Sequence, residues 1–166
     1  MIRFAKTVLA CACLVALAAC SSSQVSRIQA ASKDQLDQVA AADVIVTHDR
    51  VVRGDELVGP VKGELEVALS ECTTGTVKHD VEVELTQYDG ANAGQAFLIG
   101  DSASMTGRVK IVEKETRAIV GEYQVEGSLA GGGIIGAAVL SNAIGNLSKN
   151  FASSVCEDIF GNPLKS

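Results

Sequence analysis

The sequence predicts an α+β domain: an antiparallel sheet of about four strands with two helices packed on one face, in the order β-α-β-β-β-α. Three observations carry that expectation. Residues 77–88 alternate apolar and charged side chains, and two more strand-like segments follow before residue 127. Alternation with period two marks a strand with one buried and one solvated face, the habit of antiparallel sheets. Residues 137–155 instead repeat apolar side chains every three and four positions, as an amphipathic helix does. A second stripe of that kind lies over residues 61–72, between the first strand and the alternating ones. Strands whose apolar face is closed by helices form a two-layer α+β architecture.

The N-terminus, MIRFAKTVLACACLVALAAC, has the layout of a secretory leader. Arg3 and Lys6 form a basic start, residues 7–17 are uncharged and mostly apolar, and small residues follow. Eleven residues are too few for a permanent span, which takes about 20. Residues 21–42 are rich in Ser, Gln and Ala without a clear apolar stripe and read as a polar tether, with some helix near 33–42. The β-branched run at 43–47, DVIVT, reads as the first buried strand, and Gly54, Gly59 and Pro60 punctuate the loop after it.

Residues 61–72 admit two readings. Val61, Leu65, Ala68, Leu69 and Cys72 fit a helical stripe, while Val61, Leu65, Val67 and Leu69 fit strand alternation; the helix is preferred, ending near Gly75. In residues 77–88, Val77, Val81, Val83 and Leu85 share one face and Lys78, Asp80, Glu82 and Glu84 the other. A turn at 89–94 leads to a strand whose inner face holds Met105, Gly107, Val109 and Ile111. Residues 114–117 turn the chain into a last strand with Ile119, Tyr123 and Val125 inward. One long helix then carries Ala137, Leu140, Ile144, Leu147, Phe151 and Val155, and stops at Phe160-Gly161-Asn162-Pro163.

The leader's end is more specific than an ordinary cleavage site. Leu17-Ala18-Ala19-Cys20 resembles the bacterial lipobox, in which the cysteine thiol receives a diacylglycerol and cleavage before it frees an amine for a further acyl chain. Val8-Leu9-Ala10-Cys11 is similar, but only seven residues precede it, too few for a basic start and an apolar run. The resemblance implies cleavage between Ala19 and Cys20, lipidation of Cys20, and, with Ser rather than Asp at position 21, transport to the periplasmic face of the outer membrane. Several acyl chains would hold such a protein stably without a transmembrane helix. The division expected is a lipoprotein signal peptide over 1–19, a lipidated N-terminus and tether over 20–42, and a periplasmic domain over 43–166. Cys72 and Cys156 are then an even pair in an oxidising compartment; a disulfide is preferred over two buried thiols.

Charge and composition exclude some partners. Two of the 14 Lys and Arg leave with the leader, so 12 face 20 Asp and Glu, a net charge of −8. Such a chain repels the phosphates a nucleic-acid binder must neutralise. Trp is absent and aromatics are 4% of the residues, so a stacking platform is not expected either. His48-Asp49 and His79-Asp80 are the only histidine sites and lack the further ligands a metal hydrolase needs; surface or edge positions are preferred for both. No nucleophile motif is present. The segment LAGGGIIGAA, 129–138, matches no phosphate-loop pattern. Residues 127–148 lack charge and contain the G-x-x-x-G pair Gly132 and Gly136, but glycine-rich sequence favours a loop feeding a buried helix over a membrane element.

Residues 107–138 carry a wider likeness: a strand, a D/E-x-x-T turn, a second strand, then a Gly-rich lead into an Ala-rich helix. The pattern resembles small proteobacterial lipoproteins. More remotely it is similar to the α+β domains of envelope-assembly lipoproteins, of the penicillin-binding-protein activator and curli secretion channel types. Their turn is usually D-x-x-T-G; here Glu113-Lys114-Glu115-Thr116-Arg117 places Arg at the Gly position. No catalytic residue comes with the likeness. It implies a non-enzymatic envelope-assembly or scaffolding accessory with a membrane anchor at Cys20, an unidentified envelope protein as partner, and no cofactor or metal. A glycine-rich membrane-active or oligomerising protein and a small periplasmic hydrolase are the alternatives.

Overall fold

The computed structural model describes residues 20–51 and 53–164, so the leader read over 1–19, Ala19 included, lies outside the described residues. Five strands form one sheet: β1 (Cys20–Gln29), β2 (Val39–His48), β3 (Val77–Asp89), β4 (Asp101–Glu113) and β5 (Ile119–Gly131), in the spatial order β1-β5-β4-β3-β2. Five helices join them: α1 (Lys33–Asp37), α2 (Gly54–Cys72), α3 (Ala93–Ile99), α4 (Gly133–Ser141) and α5 (Ala143–Ser154), the last running into a π turn at Val155–Ile159.

The α+β class and the antiparallel β3-β4-β5 meander are as predicted, but the sheet is larger and mixed. β2 pairs with β3 in parallel, because α2 is a crossover that returns the chain to the starting end of the sheet. The stretch read as a tether begins with a ten-residue strand, β1, antiparallel to β5. An edge strand is held by its backbone and needs no apolar face; of β1 only Val25 is even half-buried, so no alternation advertised it. The capping box of Ser32 and Gln35 then starts α1.

The helical reading of 61–72 holds, and Val67, which alternation would bury, is exposed. The helix starts earlier than expected, at Gly54, and carries Pro60 inside it. Asp55 and Glu56 sit in its first turn, where acidic groups favour the positive end of the helix dipole. Leu57, Val61, Leu65, Ala68, Leu69 and Cys72 form its buried stripe.

α2 and α5 lie on the same face of the sheet and close one core. Phe151 and Leu147 of α5 and Leu57, Leu65 and Leu69 of α2 meet Val81, Val83 and Leu85 of β3, Met105, Val109 and Ile111 of β4, and Tyr123 and Val125 of β5. Each large side chain so buried contributes about 1.5–3 kcal/mol. Gly107 completes this face: a methyl group there would stand 3.0 Å from the Phe151 ring. Ser148 and Ser154 are buried on α5, and their hydroxyls donate to the carbonyls of Ile144 and Asn150, both at 2.8 Å.

Three expectations about this core need correction. The predicted long helix is broken at Asn142, whose φ of −115° and ψ of 40° leave the helical region. Ile119 is exposed, because a register shift where Val112 pairs with Ile119 takes it off the inner parity. His79, read as a surface position, is buried, its Nδ1 2.8 Å from the Val77 carbonyl.

Candidate functional site

The two histidines do not converge. His48 pairs in register with Leu85 and His79 with Ala41, seven residues back along β2, so they stand about 20 Å apart. His48 Nε2 lies 3.1 Å from Asp55 Oδ1, and its ring covers Gly54. Among the described residues no three His, Cys, Asp or Glu side chains are grouped as metal ligands.

The densest charge cluster sits where the β4–β5 turn folds over the solvated face of the sheet. Arg117 takes a φ of 59°, the conformation for which glycine is the usual choice at this turn position. From there its guanidinium donates to Asp80 Oδ2 at 2.7 Å and to Glu82 Oε1 at 2.6 Å. Asp80 is thereby buried although it lies on the polar parity of β3. Lys114 donates to Asp43 and holds its carboxyl below the usual carboxylate range. Thr116 ties the turn together by donating to Glu113 and accepting from the Ala118 amide. These contacts pin the turn against β3 and β2.

Cys72 and Cys156 are joined in a disulfide, with Cα atoms 5.7 Å apart. It links the last residue of α2 to the π turn after α5, inside the core. The C-terminal ends of α2 and α5 are thus covalently fixed to one another.

The remaining feature lies at the opposite end of the sheet. Cys20, exposed, is the first residue of β1 and pairs in register with Ala130 of β5, which pairs in turn with Ser102 of β4. Three residues before Ser102, α3 ends; three after Ala130, α4 begins. α3 and α4 pack side by side over this end of the sheet. The approach of α4 to β5 requires glycine on both sides: a methyl group on Gly136 would come within 2.4 Å of the Gly131 carbonyl carbon. Of the G-x-x-x-G pair that raised a membrane-helix reading, Gly136 therefore serves a close backbone contact with Gly131, and no helix of the described residues is long and apolar enough to cross a membrane.

With Ala96, Gly136 and Leu140 turned inward, α3 and α4 present Phe97, Leu98, Ile99, Ile134 and Ile135 to solvent, each between 53% and 80% exposed. Asn92 caps α3 by accepting from the Gly94 and Gln95 amides, and the Asn92 amide donates to Asp101 at 2.7 Å, which ties α3 to the start of β4. No element was predicted over 95–103. The signal that could have found it is the uncharged run Ala96-Phe97-Leu98-Ile99, apolar yet too short for either period to register.

No family model matches the chain, and no curated protein sequence matches it. Solved structures do. The PelC dodecamer from Paraburkholderia phytofirmans is 11% identical, with a TM-score of 0.42, over 80% of this chain and 95% of that one. A single-substitution variant of the same dodecamer gives 12% identity and a TM-score of 0.43 over 82% and 98%. A protein of Caulobacter crescentus CB15 described as a candidate lipoprotein is 12% identical, with a TM-score of 0.41, over 78% and 92%.

Proposed function

We propose that this chain is a lipoprotein of the outer membrane, held on the periplasmic face through Cys20, and that it works there as a non-enzymatic assembly or scaffolding accessory. The observation that carries the reading is the place of Cys20. The cysteine of the lipobox-like sequence is itself the first residue of a sheet strand, so the anchor joins the folded domain with no flexible linker between. An anchor of that kind restricts the domain's orientation as well as its distance from the leaflet. The α3–α4 end faces the membrane, and the charged face of the sheet with the turn at 114–117 stands into the periplasm. A scaffold needs that fixed presentation; a diffusing enzyme does not.

The experiment is in-cell crosslinking from positions on the exposed polar face of the sheet, for example Glu84 or Gln124, with identification of the captured envelope protein. Capture of one defined partner from these positions, lost when Cys20→Ala mislocalises the domain, is the expected result. Equal capture with and without the anchor would remove the scaffold reading.

A further inference from the structure

Five of the nine exposed large apolar side chains among the described residues stand together on α3 and α4: Phe97, Leu98, Ile99, Ile134 and Ile135. The other four are scattered over β1, β2, α2 and β5. Isolated apolar side chains on a surface are ordinary, whereas a contiguous group marks a place where something binds. We propose that this α3–α4 surface seats in the acyl region of a phospholipid leaflet, as a second membrane contact beside the lipid on Cys20; the proposal rests on the anchored reading of Cys20 given above.

Two observations select a leaflet over another occupant. The first is position. Cys20, Ala130 and Ser102 lie side by side on three neighbouring strands, so about two strand spacings, roughly 10 Å, separate the lipid attachment from the strand that follows α3. An acyl chain on Cys20 therefore brings the leaflet to this end of the sheet and to no other. The second is charge. Residues 90–100 contain no Asp, Glu, Lys or Arg, and neither do residues 127–148. A protein interface ordinarily surrounds its apolar centre with a polar rim. α2, exposed to water on its outer face, carries Asp55, Glu56, Lys62, Glu64, Glu66 and Glu71. The contrast matters in a chain whose net charge is negative, because an uncharged face meets an anionic surface without the repulsion that acidic side chains would bring.

The geometry gives the patch limited depth. α3 has 7 residues and α4 has 9, and both are tied to the sheet, so they lie at the interface and do not span. Several acyl chains on Cys20 already hold the protein stably, so the second contact sets its orientation on the leaflet and not its attachment.

The chain has no Trp, so one can be placed as a sole reporter. Full-length Leu98→Trp, Ile135→Trp and Val67→Trp would be expressed and processed in cells. Each would be purified and reconstituted into vesicles of phosphatidylethanolamine and phosphatidylglycerol carrying bromine on the acyl chains. All three sites are exposed, and matching melting temperatures check that each variant folds. Val67 lies about 20 Å along α2 from its start and serves as the control facing away from the leaflet. Quenching several-fold greater at Leu98→Trp and Ile135→Trp than at Val67→Trp is the expected result. Equal quenching at all three overturns the proposal. So does blue-shifted emission unaffected by brominated lipid: if it varies with protein concentration, the occupant is a second copy, and if it accompanies an uncleaved leader, the occupant is the segment 7–17. The mass of the N-terminal peptide reads the anchor separately. An unmodified Cys20 with quenching intact would remove the anchored reading while leaving the patch as a lipid contact.

Discussion

Replacing both Cys72 and Cys156 by alanine should cost the fold most of its margin without changing its shape. The bridged residues are 84 apart in sequence, so the disulfide closes a loop spanning more than half the chain. In the chain-entropy treatment, removing such a cross-link restores about 4.5 kcal/mol of freedom to the unfolded state. The folded state loses little packing in return, since alanine still fills most of each buried position. A domain of this size has about 5–15 kcal/mol to lose. At about 2–4 °C per kcal/mol, the double variant should melt about 9–18 °C below the native protein. Thermal unfolding followed by circular dichroism, with thiol titration of the denatured native protein, is the assay. The titration should find neither Cys72 nor Cys156 free. A melting point within about 3 °C of the native one, or both thiols reactive, would refute the claim that the bridge is a principal constraint.

Further outcomes follow from the packing. Val83→Asp puts an unpaired charge at a position 1% exposed and should cost about 4 kcal/mol or more, whereas Glu84→Ser on the opposite face should change stability by no more than about 0.5 kcal/mol; denaturant titration of the pair decides. Gly136→Ala drives a methyl group into the Gly131 backbone and should destabilise by about 1–3 kcal/mol, while Gly63→Ala, with nothing within 4 Å, should stabilise by about 0.5–1 kcal/mol. Arg117→Gly should be about 1 kcal/mol more stable than Arg117→Ala, because both lose the Asp80 and Glu82 contacts but only glycine adopts the positive φ without strain; equal melting points would argue against a strained turn.

What could be read beforehand was whatever burial had written into side-chain period. Val81, Val83 and Leu85 alternate because a sheet face is buried under two helices, and Leu147, Phe151 and Val155 recur because one helix stripe does the covering. β1 left no such mark, being an edge strand held by backbone hydrogen bonds whose side chains mostly face water. The parallel β2–β3 pair was hidden for a different reason: strand direction depends on where the crossover helix delivers the chain, and no local residue encodes that. The reading of Cys20 as an anchor rests on the lipobox-like sequence alone, whereas the pairing of Cys72 with Cys156, expected from an even count, is seen in the structure. The α3–α4 surface was not legible, since four apolar residues on a seven-residue helix give neither period room to register. Nor did sequence show that Gly131 and Gly136 are there to bring α4 against β5.

The central claim is that the folded domain is fastened to the membrane at Cys20, with no linker before its first strand. Mass spectrometry of the N-terminal peptide of the protein extracted from cell envelopes tests it most directly. The account predicts a chain beginning at Cys20 and carrying diacylglyceryl and amide-linked acyl groups, with Cys20→Ala either released from the membrane or stalled with its leader attached. A chain that begins elsewhere, or begins at an unmodified Cys20, would contradict it.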